Sequence, residues 1–269
     1  MRELTVEEVR DIQLELFKKF DKYCRENNIR YFVGYGTLLG AVRHKGFIPW
    51  DNDIDVLIPR TEYDRLIELL KDDDANEDFR LLCYENDKNY LYPHGRISDK
   101  GTYIKTAGGY KKFGISVDLF PMDNQGDSIK EAEKNFYKVK DYTRLRIFSY
   151  DKKYKTLKIP DYDWKVKLKY RIMLAWNQEQ SHWVEKTINQ QKIFNNGGRQ
   201  TRYYGYTGAY CPAYEKEIFA DTVYLDFEDM KVPAPVGYEL FLTKTYGDYM
   251  TPPPEDKRRK MKNTVVYKL

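Results

Sequence analysis

Cysteine is scarce and scattered. The 269-residue chain has three, Cys24, Cys83 and Cys211, odd in number and in no CxxC spacing, which argues against a disulfide framework or a thiolate zinc site and favours a reducing compartment. Long apolar runs are missing too. Nothing approaches the ~18 residues of a membrane span, and the opening MRELTVEEVR has no signal-type apolar core. The expectation is a cytoplasmic protein with at most a peripheral contact with the inner membrane face. No sign of charge dominates: 46 Lys and Arg against 42 Asp and Glu leave +4, too mild to mark a nucleic-acid binder. There is no internal repeat, no low-complexity tract and no GK[ST] phosphate loop, and Leu39 spoils a GxGxxG reading.

What is present is a folded protein's composition, 41% hydrophobic and 33% charged, at a length that suits one large domain or two small ones. The chain also holds 25 tyrosines within an aromatic content of 16%. A tyrosine joins an apolar ring to a polar tip, so it serves as core, as surface, or as a platform for a sugar, a base or a cation.

Residues 5–27 place Val9, Ile12, Leu16, Phe17 and Phe20 near helical spacing behind Thr5 and Glu8, the S/T-x-x-E of a capping box. This predicts an amphipathic opening helix that ends at the Asn27-Asn28 pair. Short strands are expected at 29–33 and 54–58, the second stopped by Pro59, with Thr61 capping a helix through Leu70. The acidic run 71–78 reads as a solvated loop. Strands at 79–84, 92–98, 102–105 and 115–120 complete an α/β or α+β core on a mixed sheet. Residues 128–194 read as long basic and aromatic helices, and 201–212 as a loop or strand pair. A strand at 222–227 and a short helix at 238–246 precede a basic tail at 257–262.

The most informative stretch is GYGTLLGAVRHKGFIPWDNDIDVLI, residues 34–58. In an extended chain Asp51, Asp53 and Asp55 share a face about 6–7 Å apart, and crowded carboxylates raise one another's pKa unless something positive sits among them. A hard divalent cation, Mg²⁺ or Mn²⁺, is the economical resolution; the plainer alternative is an acidic turn whose aspartates cap backbone groups. The glycine turn Gly34 to Gly36 followed by Thr37 reads as a strand turning into a helix whose N-terminal amides face outward to hold phosphate. Thr37 is either a cap or a phosphate ligand there. In ISVDLFPMD, Asp118 interrupts an apolar strand, so a metal or a basic partner is expected to compensate its charge, and it is the candidate third acid, either ligating the metal with Asp53 and Asp55 or taking the proton from an attacking hydroxyl.

GTLLGAVRHKGFIPWDNDID, YPHGRISDKGT, GISVDLFPMD and VPAPVGYELFLTKTYGDYMTPPPEDKR together resemble the LicD family of phosphocholine transferases, relatives of fukutin. The resemblance is dense over residues 33–123 and returns over 232–258. It implies an α+β, nucleotidyltransferase-like mixed sheet flanked by helices, with a mainly helical insertion. The divisions expected are a catalytic core at 1–126, an acceptor-side region at 127–220 and a C-terminal segment at 221–269 that packs back on the core. It also implies transfer of a phospho-alcohol from CDP-choline, or from CDP-ribitol or CDP-glycerol, to a sugar of a teichoic acid, lipopolysaccharide or capsule precursor. Nucleotidyl transfer and a silent glycan-binding module are the alternatives.

By the resemblance Asp53 and Asp55 form the metal pair with Asp118 as third acid, and Gly36 and Thr37 form the phosphate turn. Arg43, His44, Lys45 and Arg96 become candidates for the leaving phosphate. Asn52 stands where many members have Asp and is expected to point away from the metal face. Choline calls for aromatic faces, and Tyr203, Tyr204, Tyr206, Tyr210 and Tyr214 with Trp164, Trp176 and Trp183 could supply them. His94 and His182 are expected to pack or hydrogen-bond only. The stretch WKVKLKYRI, residues 164–172, reads as a half-buried strand, as a basic helix, or as a patch that docks on anionic lipid or a lipid-linked acceptor.

Overall fold

The computed structural model describes residues 1–104, 110, 112–154, 164–176, 179–195, 201–207, 213–258 and 265–269. Tyr210 and Cys211, and the basic tail past Arg258, lie outside the described residues. Strand β1 (Arg2–Glu3) leads into helix α1 (Val6–Glu26), and the expected capping box is there: the Thr5 hydroxyl accepts from Glu8 N at 3.2 Å and the Glu8 carboxylate from Thr5 N at 2.9 Å. Leu16, Phe17, Phe20 and Cys24 follow the helical repeat onto the core.

Next come β2 (Phe32–Val33), α2 (Tyr35–His44), β3 (Asp55–Pro59) and α3 (Arg60–Leu69). Helix α3 begins one residue before Thr61, with Pro59 at the cap position and no side-chain cap bond, so the expected Thr61 cap does not form. The start is fixed instead by Arg60, buried against Asp123 in a bidentate pair at 2.8 and 2.7 Å.

Strands β4 (Phe79–Leu82), β5 (Gly95–Asp99), β6 (Thr102–Ile104) and the long β7 (Ser116–Gly126) follow. The sheet order β2-β3-β7-β5-β4 is mixed: β3 and β7 run parallel and the other neighbours antiparallel. Helices α4 (Ile129–Tyr154), α5 (Trp164–Trp176) and α6 (Gln180–Gln191) occupy the expected helical stretch. Strand β8 (Tyr203–Gly205) then pairs antiparallel with the end of β7 and with β9 (Tyr214–Glu215). Strands β10 (Thr222–Phe227) and β11 (Met230–Pro235) make a two-stranded ribbon, where prolines are tolerated because no further described strand calls for the N–H that proline lacks. Helix α7 (Tyr238–Tyr246) follows, and β12 (Val266–Lys268) joins β1 to β6.

The fold is α+β. One main core runs from Leu16 to Leu242 and includes Tyr214, Phe219 and Phe241 from the late part of the chain. A second cluster, Leu145, Phe148, Tyr170, Leu174 and Trp183, binds α4, α5 and α6 to one another.

Candidate active site

The start of α2 and the start of β3 are stitched together. Asp55 N donates to the Thr37 hydroxyl at 2.8 Å, Gly34 N donates to Asp55 O at 2.9 Å, and Gly36 N donates to the Asp55 carboxylate. Thr37 is buried and does not cap α2, whose cap position is Gly34. A side chain at position 36 would put a Cβ 2.9 Å from an Asp51 carboxylate oxygen, so the glycine lets Asp51 close on the helix start. Arg10 holds that loop through the carbonyls of Ile48, Pro49 and Asp51.

Register supplies the rest. Asp55 lies opposite Asp118 across β3 and β7, and Asp118 lies opposite Arg96 across β7 and β5. Paired residues in adjacent strands project to one face, so three charged side chains form a row. Arg96 donates from Nε and Nη2 to the two Asp118 oxygens, and its guanidinium lies 4.8 Å from the ring centres of both Tyr92 and Phe113. Asp118 therefore has the basic partner that its setting required. Asp55 has no such relief among the described residues: burial, then Asp118, Asp53 and Asp51, push its carboxyl well above the usual range against the Gly36 amide. Burial works against the Arg96 charge, yet Asp118 and Tyr90 hold its pKa above the ordinary value.

A cavity of about 460 Å³ opens on the Asp118 and Arg96 end of this row, and Gln13, Asn52, Asp53 and Phe113 are also among its walls. Asn52 and Asp53 line it together, contrary to the expected alternation, because 51–54 is not strand and β3 begins only at Asp55. Gln13 gives its amide N–H to Ser116 O at 2.9 Å and keeps its carbonyl buried beside the cavity without a partner.

The remaining expected ligands part company. Arg43 donates to His44 Nε2 at 2.9 Å and to Tyr249 O at 2.8 Å, so it ties α2 to the C-terminal segment. His44 packs on Trp50 at 6.2 Å and Lys45 meets Asp226 at 3.9 Å. These three lie at the end of α2 opposite Gly36, roughly 10 Å along its axis. Tyr203 and Tyr214 are buried in the packing, Trp183 lies in the helical cluster, and Trp164 and Trp176 are exposed. Tyr206 does reach the site, 4.8 Å from Phe120, and His94 packs on the same Phe120 ring at 4.9 Å. Burial first and Arg96 second push His94 down to about 3, and its Nε2 is buried without a partner. His182 packs on Trp183.

One group escaped the sequence reading altogether. Arg146 on α4 lies 5.1 Å from the centre of Tyr92, the ring that Arg96 also covers, and donates from Nη1 to Leu91 O at 3.0 Å. Its Nε is buried without a partner, and among the described residues no carboxylate lies within ion-pair reach. Burial, reinforced by the like charge of Arg96, lowers its pKa against the pull of Tyr92, Tyr206 and Tyr90. Nothing in an isolated arginine of a basic helix separates it from its neighbours; only the packing of α4 over the sheet does.

No group of three or more His, Cys, Asp or Glu among the described residues closes into a metal-binding set. The donor chemistry is nevertheless that of a hard cation: the acids around Asp55 offer oxygen only, and their mutual repulsion is what such a cation would relieve.

The chain is thus an α+β protein with carboxylates and a guanidinium aligned across its central strands, and its sequence is similar to that of a known transferase family. The family model described as "LicD/FKTN/FKRP, nucleotidyltransferase domain" matches residues 28–155. The chain is 31% identical to the lipopolysaccharide cholinephosphotransferase LicD of Haemophilus influenzae over 96% of both chains. Uncharacterized proteins of Rickettsia typhi and Rickettsia prowazekii match shorter parts, at 36% identity over 29% of this chain and 23% of the relative, and at 43% over 21% of each. The chain belongs to the LicD family.

Proposed function

We propose that the protein transfers phosphocholine from CDP-choline to a sugar hydroxyl of a cell-surface polysaccharide precursor, with release of CMP. The observation that carries this reading is the row Asp55, Asp118, Arg96 on three adjacent strands, in a chain that aligns almost end to end with a lipopolysaccharide cholinephosphotransferase. The acceptor hydroxyl attacks the choline phosphorus, the bond from that phosphorus to the CMP oxygen breaks, and the hydroxyl proton passes to Asp118. Displacement at a charged diphosphate depends on positioning and on neutralised charge. Arg96 and Arg146, the two guanidiniums around Tyr92, supply that charge. Asp53 and Asp55 would hold Mg²⁺, or Mn²⁺, which when bound neutralises phosphate oxygens. The acceptor is a lipid-linked glycan precursor met at the cytoplasmic membrane face.

A second reading, transfer of another CDP-activated alcohol such as ribitol or glycerol, draws on one observation. The Tyr92 and Phe113 rings, which could cage a quaternary ammonium, already carry guanidiniums at 4.8 to 5.1 Å. A panel of CDP-choline, CDP-ribitol and CDP-glycerol, each with Mg²⁺ and acceptor glycan, separates the readings by which donor yields CMP. Release of pyrophosphate from a nucleoside triphosphate would point to nucleotidyl transfer.

A further inference from the structure

Helix α5 turns its largest apolar side chains outward. Trp164, Leu168, Ile172 and Trp176 recur every fourth residue and are 66%, 48%, 54% and 89% exposed. At 100° per residue they sweep an arc of about 120° on one side of the helix. The opposite side is already in use: Tyr170 and Leu174 are buried with Leu145, Phe148 and Trp183, and Val166 and Met173 pack alongside. One apolar stripe anchors a helix to its protein. A second, facing water, marks a contact with something else.

Charge selects the occupant. The helix has Lys165, Lys167, Lys169 and Arg171 and no acidic residue. By position on the helix, Lys165 and Lys169 run along one border of the outward stripe and Arg171 along the other; all three are exposed, and Lys169 also meets Asp141 of α4 at 2.5 Å. A second copy would set these like charges against each other. An anionic bilayer would not: indole rings settle at the headgroup level, aliphatic side chains enter the acyl boundary, and each basic side chain adds attraction to anionic lipid. We infer that α5 is a membrane-docking helix that seats the protein on an anionic lipid surface through Trp164, Leu168, Ile172 and Trp176. The inference stands apart from the identity of the donor. It also has a consequence for the site, because α4 packs α5 through Leu145 and Phe148 while Arg146 of the same helix lies on the Tyr92 ring that Arg96 also covers.

Flotation of the full chain with vesicles of phosphatidylglycerol and phosphatidylcholine, against vesicles of phosphatidylcholine alone, tests it. The wild type is expected to float with the anionic vesicles at low salt and at least tenfold less with the neutral ones or in high salt, with a blue shift of tryptophan emission. W164S/W176S is expected to lose at least tenfold in vesicle binding at an unchanged melting temperature. Absence of wild-type binding to anionic vesicles at low salt overturns the inference. So does undiminished binding by the double variant, or a concentration-dependent dimer abolished by W164S/W176S in place of vesicle binding, which would assign the stripe to a second copy.

Discussion

Asp118 stands directly opposite Asp55 in the parallel pairing of β3 and β7, yet only Asp118 has a guanidinium bound to it. The two acids therefore respond differently to the same substitution. Asp55→Asn removes a carboxylate whose pKa is held up by burial and like charge. A carboxyl raised in the folded state destabilises as pH rises above its unfolded value, near 4. In chelator at pH 7 the variant is expected to melt at or above the wild-type temperature, while its turnover in Mg²⁺ falls at least about a thousandfold below that of the wild type. Mg²⁺ is expected to stabilise the wild type and not Asp55→Asn. Thermal melts with and without Mg²⁺, alongside CMP release, check both halves.

Asp118→Asn is also expected to abolish turnover, at a structural cost. It strips Arg96 of its carboxylate, and breaking one side of a largely buried ion pair costs about 3–5 kcal/mol. Asp53→Asn, on an exposed residue, is expected to lose turnover with little change in melting temperature. Denaturant titrations of the two variants separate the cases.

Arg146→Gln is expected to weaken binding of inorganic pyrophosphate and of CDP at least tenfold, with Arg146→Lys between it and the wild type. Loss of a buried cation that has no carboxylate partner among the described residues should leave stability unchanged or higher. Calorimetric titration of the three proteins with pyrophosphate checks this.

His94 gives the acid limb of the stability profile. Its folded pKa of about 3 lies below the unfolded value, so the unfolded chain binds the extra proton and stability is lost as pH falls from about 6.5. By pH 4.5 the loss is roughly 3 kcal/mol. His94→Gln is expected to flatten this limb in melts taken between pH 7 and 4.5.

The Arg60–Asp123 pair, with Asn195 donating to the same carboxylate, joins α3 to β7. Asp123→Ala leaves the Arg60 guanidinium buried and unpaired, and is expected to destabilise by about 3–5 kcal/mol, whereas Arg60→Met/Asp123→Leu should recover much of that. Urea denaturation of both variants measures the difference.

What could be read from residue order was local. The capping box at Thr5 and Glu8, the strand at 222–227 and the helix at 238–246 match their observed elements because the signals lie within a turn or two of chain. Thr61 misled because a hydroxyl near a strand end resembles a cap, while the buried pair of Arg60 with the distant Asp123 set the helix start. In the site, Asp53, Asp55, Asp118 and Arg96 were recognisable as acid and base, and the motif that carries them spans the densest part of the resemblance. That Arg96 belongs to Asp118 depends on strand register, which no single segment encodes. Arg146 comes from the helical stretch that resembles the family least, and only the packing of α4 brings it to Tyr92.

The most direct test of the account is transfer itself: choline-labelled CDP-choline, a lipid-linked glycan acceptor and Mg²⁺, with wild-type protein and Asp55→Asn. The account predicts that the label moves to the acceptor in step with CMP release by the wild type, and that Asp55→Asn does neither while remaining folded. Label left on the nucleotide with the wild type, or equal transfer by Asp55→Asn, would contradict it.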